Sequence, residues 1–99
     1  MATYLIRFKA EPRIRSANVG EFSGAFFTMW VVSSGPDTAM RRAADYAIGL
    51  GWTSGQQMET EVVKREAYLN NAEFLSCFDA AQTLGVVSAI DTFNSRDQN

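Results

Sequence analysis

A chain of 99 residues and 11.0 kDa has the size of one domain and is too short for two hydrophobic cores. Hydrophobic residues make up 46% of it and charged residues 20%, the balance of a globular domain, which excludes a disordered composition. A formal net charge of −2 gives no general attraction to nucleic acid or an anionic membrane, and the absence of histidine excludes Ser-His-Asp and Cys-His nucleophile pairs and imidazole metal ligands.

The chain opens with Tyr4, Ile6 and Phe8 alternating against Thr3, Leu5, Arg7 and Lys9, a period of two that predicts a strand over Thr3–Lys9. Glu11 to Gly20, punctuated by Pro12, Asn18 and Gly20 and carrying Arg13 and Arg15, reads as a connection. A long strand follows from Glu21 to Ser33. Its two faces, Phe22-Gly24-Phe26-Thr28-Trp30-Val32 and Ala25-Phe27-Met29-Val31, are both apolar in the middle, so this strand is expected at the centre of a sheet covered on both sides.

Ser34-Gly35-Pro36-Asp37 begins a helix: Ser34 or Gly35 caps it, and Pro36 suits a first turn in which its missing N–H is not needed. The helix is expected to run to about Leu50, with Met40, Ala43, Ala44, Ala47 and Ile48 on its apolar face and Gly49 and Gly51 ending it. Trp52 to Arg65 starts as a Gly/Ser/Gln-rich turn and ends as a strand, with Met58, Thr60 and Val62 alternating against Glu59, Glu61 and Val63. Asn70 or Asn71 caps a second helix with a Phe74, Cys77, Phe78, Ala81, Leu84 stripe, and Gly85 ends it. Val86–Phe93 is the last strand, and Asn94–Asn99 is expected to fray.

This order, β-β-α-β-α-β, predicts a single α+β domain over residues 1–93. The simplest expectation for so short a chain is a two-layer sandwich, a four-stranded mixed sheet with two helices packed on one face. The layout resembles ferredoxin-like split β-α-β domains, with the first hairpin arranged differently from the standard order. The segments Gly24-Ala25-Phe26-Phe27-Thr28-Met29-Trp30-Val31, Leu50-Gly51-Trp52 and Phe78-Asp79-Ala80-Ala81-Gln82 with Gly85-Val86-Val87 resemble those of small bacterial proteins of unknown function. That resemblance implies no activity.

The candidate chemistry is sparse. Cys77 lies on an apolar helical stripe and reads as a small core hydrophobe rather than a nucleophile. Glu59 and Glu61 share a strand face, with Glu66 just beyond; they read as a solvated face rather than an acid–base pair. The helix start at Gly35-Pro36-Asp37-Thr38, with Arg41 and Arg42 a turn later, offers backbone N–H groups to an anion, but Asp37 opposes one and ordinary capping is the expectation. Arg7, Lys9, Arg13 and Arg15, interleaved with Tyr4 and Phe8, form a basic stretch that reads as a solvated edge rather than a single-strand nucleic-acid surface. Neither catalytic residues nor a cofactor or metal site are assigned.

If both helices cover one face, the other face of the central strand exposes either Phe26, Trp30 and Val32 or Phe27, Met29 and Val31. Such a patch calls for a partner, and a homodimer through the open face is the expectation, with the 11–20 segment or the chain end as the alternative cover. Phe26, Phe27, Met29, Trp30, Val31, Tyr46 and Trp52 are the candidate interface or pocket residues. The functional expectation is a non-catalytic, dimeric binding or protein-interaction module; the alternative is a cofactor-independent small-molecule enzyme or ligand carrier with a pocket lined by Trp30, Phe26 and Tyr46. Neither nucleic acid nor membrane is an expected partner. One cysteine, no signal-like amino terminus and no apolar run near the roughly 20 residues of a membrane span make the cytoplasm the expected compartment.

Overall fold

The computed structural model of the chain describes residues 1–12, 24–53 and 56–93. In chain order these form β1 (Ala2–Ala10), β2 (Gly24–Ser33), helix α1 (Pro36–Gly49), β3 (Gln56–Val63), a short 3₁₀ turn (Arg65–Tyr68), helix α2 (Ala72–Leu84) and β4 (Val86–Phe93). Most of the expected 11–20 connection, the 21–23 start of the second strand, and the 94–99 tail lie outside the described residues.

The strands make one open sheet in the order β3-β1-β2-β4, with every neighbouring pair antiparallel. The mixed sheet expected from the sequence is thus corrected. The physical reason is that neither helical connection joins neighbouring strands. Because β1 lies between β2 and β3, these two run parallel without touching, and each meets only the antiparallel β1.

Strand register decides which side chains share a face. Tyr4, Ile6, Phe8 and Ala10 stand opposite Val31, Met29, Phe27 and Ala25, and all eight form one core with Ala39, Ala43 and Ala47 of α1 and with Trp52. On the other face Leu5 is paired with Trp30, and these two form a second core with Tyr68, Phe78 and Ala81. The expectation that the chain is too short for two cores is corrected, because the sheet divides one domain's apolar side chains between its two faces. The helices therefore take opposite faces. The expectation that both share one face is corrected; β2 is central as expected, covered on the α1 face and, on the other face, covered at Trp30 and Val32 while Phe26 is 53% exposed. Its doubly apolar pattern is the cause: Phe27, Met29 and Val31 on one side and Trp30 on the other are all at most 1% exposed. Each such side chain withdrawn from water contributes roughly 1.5–3 kcal/mol, which draws a helix over each face.

Each helix is shaped by the face it covers. α1 packs through Ala39, Ala43 and Ala47, spaced four apart and fully buried, so its backbone sits close to the large side chains of the sheet. Met40 packs at the margin of this core, and Ile48 is left partly exposed, so the apolar face is centred one position away from the expected stripe. Gly35 is the N-cap, with Pro36 in the first turn, and Gly51 ends the region at φ 95°. α2 is capped by Asn71, whose Oδ1 accepts from the Phe74 N–H at 3.1 Å. Gly85 closes it in the left-handed region at φ 84°, its N–H donating to the Ala81 carbonyl.

Candidate functional site

The two connections cover unequal amounts of sheet. β2 leaves at the end where Val32 faces Thr3, whereas β3 enters at the opposite end, where Gln56 faces Lys9. α1 must therefore run the length of its face, and its 14 residues span about 21 Å at 1.5 Å per residue. By contrast, β3 leaves beside Thr3 through Val63, and β4 enters beside Val31 through Val86, at the same end. The 3₁₀ turn and α2 need only cross that end, so they cover Leu5, Trp30, Val63 and Val87. Among the described residues, nothing covers the other half of the face; the 11–20 segment and the chain end, named above as an alternative cover, lie almost wholly outside them.

The register brings Arg7, Lys9, Phe26, Thr28, Glu59, Asp91 and Phe93 together on this open half. Arg7 is opposite Thr28 and Lys9 opposite Phe26 on β2; Arg7 is opposite Glu59 on β3; Phe26 is opposite Asp91 on β4. A shallow cleft of about 220 Å³ lies among Arg7, Lys9, Phe26, Thr28 and Glu59, and a smaller groove of about 150 Å³ continues past Leu5, Glu59 and Glu61. Phe26 is 53% exposed, held against Phe93 with ring centroids 5.1 Å apart. Lys9 Nζ sits 5.3 Å from the Phe93 ring centroid, a cation over an aromatic face.

The charges are unevenly matched. Arg7 is shared by two carboxylates, Nε to Glu59 Oε2 at 3.9 Å and Nη2 to Glu61 Oε1 at 3.5 Å. All three side chains are more than half exposed, so the pairs orient the guanidinium and add little stability. The two carboxylates named as a possible acid–base pair are thus bound to a common cation on an exposed surface. Lys9 has no such ion pair among the described residues, its only close partner being the ring of Phe93.

Of the residues named from the sequence as interface or pocket, only Phe26 lies in this cleft at the surface. Phe27, Met29, Val31 and Trp52 are in the α1-side core, with Phe27 edge-on to Trp52 at 6.1 Å. Trp30 is in the α2-side core, and Phe74 and Tyr68 meet it edge-on at 5.2 and 6.4 Å. Tyr46 is at the partly exposed margin of α1 facing β4, where its hydroxyl accepts from Ser88 Oγ at 3.3 Å. The expected pocket of Trp30, Phe26 and Tyr46 is not assembled, because α1 carries Tyr46 on the opposite side of the sheet. Phe93, Thr28 and Asp91, by contrast, were not singled out in the sequence; the only signal for them was the alternation of the two strands, which needs the register to become a site.

The remaining candidates take structural roles. Cys77 is half-buried against the α2-side core. Burial pushes its thiol pKa up, and the Glu73 carboxylate adds to the rise, opposite to what a nucleophilic thiolate requires. From the middle of α1, Arg42 turns back to donate from Nη1 to the Val32 carbonyl at 3.0 Å, which ties the helix to β2. Arg65 makes two hydrogen bonds to Asp79, Nε to Oδ1 at 3.0 Å and Nη2 to Oδ2 at 3.3 Å. That pairing raises the guanidinium pKa further and pins the 3₁₀ turn to α2. Among the described residues, no group of three His, Cys, Asp or Glu side chains is placed to hold a metal ion, and no helix is long and apolar enough to cross a membrane. No family model, curated protein or solved structure matches the chain.

Proposed function

We propose that the chain is a non-catalytic binding module that engages a protein partner through the open half of the α2 face. One observation supports this reading: an aromatic pair, half-exposed Phe26 and Phe93, sits beside the cation of Lys9, which makes no ion pair among the described residues. Aromatic rings beside a cation favour contact with an apolar group next to an acidic one. The cleft of about 220 Å³ is below the roughly 300–1,000 Å³ of small-molecule sites and suits a single inserted side chain. The occupant is therefore an exposed segment of another protein that presents an aliphatic or aromatic residue beside an aspartate or glutamate. The lone half-buried thiol accords with a reducing compartment, and the cytoplasm is the proposed setting.

Selection from a displayed peptide library against the immobilised protein tests this reading. The expected result is enrichment of an apolar-acidic motif, with amide shifts on binding confined to Arg7, Lys9, Phe26, Thr28 and Phe93. Phe26→Ser and Lys9→Glu should each weaken the selected peptides at least tenfold while leaving the fold intact, since both side chains are outside the two cores. Peptides that bind equally well to both variants would overturn the proposal.

A further inference from the structure

We infer that a second copy of this chain pairs with the outer edge of β4, joining two sheets into one of eight strands about a two-fold axis through Ser88. Among the described residues the sheet has two edges, β3 and β4, and they differ in how they are protected. β3 carries exposed Glu59 and Glu61 and a break in register between Arg7 and Lys9, the charges and irregularity that blunt an edge against pairing. β4 runs in unbroken register with β2 from Gly24↔Phe93 to Val31↔Val86. Its first five residues, Val86-Val87-Ser88-Ala89-Ile90, contain no charge, proline or glycine, a length typical of a strand.

The same five residues are only partly covered. Val86, Val87, Ser88 and Ala89 are half-buried although they flank the two cores, and Ile90 is 37% exposed. An antiparallel pair about Ser88 sets Val86 against Ile90 of the other copy on the α1 side and Val87 against Ala89 on the α2 side, so apolar residues meet across the axis on both faces. Asp91 is the only charge on the strand. In this register its two copies are six residues apart, about 20 Å at 3.3 Å per residue, beyond the screening length of about 8–10 Å. Pairing of β4 with β3 of another copy would instead bring Asp91 towards Glu59 and Glu61. The two-fold pair leaves only the blunted β3 edges outside, so assembly closes at two chains. The pairing residues Val86–Ile90 and the cleft residues Arg7, Lys9, Phe26, Thr28, Glu59 and Phe93 are different side chains, so either role can fail without the other.

Cysteine cross-linking tests the register in a Cys77→Ser background. Ser88→Cys places two thiols across the axis, where paired strands hold Cα atoms about 4.5–5.5 Å apart, within the range of a disulfide. The expected result on mild oxidation at micromolar concentration is a disulfide-linked dimer from Ser88→Cys, formed at least tenfold faster than from Thr92→Cys, whose two copies are eight residues apart. Sedimentation of the unaltered chain should give a dimer and Ile90→Lys a monomer with unchanged far-ultraviolet dichroism. A monomer for the unaltered chain at about 100 μM, or equal cross-linking at positions 88 and 92, would overturn the inference.

Discussion

The Trp30 indole Nε1 donates a hydrogen bond of 3.2 Å to the Tyr68 hydroxyl inside the α2-side core. This contact joins the most buried strand to the 3₁₀ turn 38 residues later, and it is surrounded by the rings of Phe74 and Phe78 rather than by solvent. A buried indole N–H needs an acceptor, and Tyr68 supplies it. The turn that carries Tyr68 is held in turn by the Arg65–Asp79 pair.

Tyr68→Phe keeps the ring and removes the acceptor, leaving the Trp30 N–H unpaired. The expected loss is about 1–3 kcal/mol, read as a lower urea midpoint with unchanged slope. A loss below about 0.5 kcal/mol, the usual range of surface substitutions, would mean that the indole finds another acceptor.

Gly24→Ala should destabilise for a steric reason. A Cβ there would stand 2.6 Å from Phe93 Cζ and 2.9 Å from the Ala10 carbonyl oxygen, and overpacking of this kind costs about 1–3 kcal/mol. Phe93→Ala in the same chain should recover part of the loss, because the ring is removed while the backbone oxygen remains. Full additivity of the two substitutions in a double-mutant cycle would contradict this geometry.

Ala43→Leu tests the close approach of α1. Ala43 is fully buried between Ala39 and Ala47 in the helix–sheet contact, so the larger side chain should cost about 1–3 kcal/mol despite the good helix propensity of leucine. Arg41→Leu, on the exposed side of the same helix, should stay within about 0.5 kcal/mol. Thermal melts of the two variants separate packing from propensity.

The Cys77 thiol should react sluggishly with alkylating reagents. Desolvation and the neighbouring Glu73 both favour the protonated thiol, so the midpoint of its rate-against-pH profile should lie at higher pH than that of the same cysteine in urea-unfolded protein. The difference in thiolate fraction should vanish once the pH exceeds the folded pKa. A folded-state midpoint at or below the unfolded one would show that the thiolate has a stabilising partner.

The elements were legible because they rest on local physics. Alternation in Thr3–Lys9, proline after Gly35, asparagine before Ala72 and glycine after Leu84 each constrain a few neighbouring residues, and the strands, caps and stops stand where those signals place them. Tyr68 escaped notice because a single 3₁₀ turn has no periodicity to detect. Leu84 is 70% exposed although it falls on the apolar stripe of α2, because the helix ends just as the chain turns into β4.

Local pattern was enough to read the α+β composition, the central position of β2 and the poverty of histidine and cysteine. The antiparallel pairing, the placement of the helices on opposite faces and the gathering of Lys9, Phe26 and Phe93 on the half that α2 leaves uncovered came from the tertiary fold. The reason is that period and capping are properties of adjacent residues. Strand order and the side on which a helix returns depend instead on which distant apolar faces remove the most surface from water together, and no short stretch of chain contains that comparison.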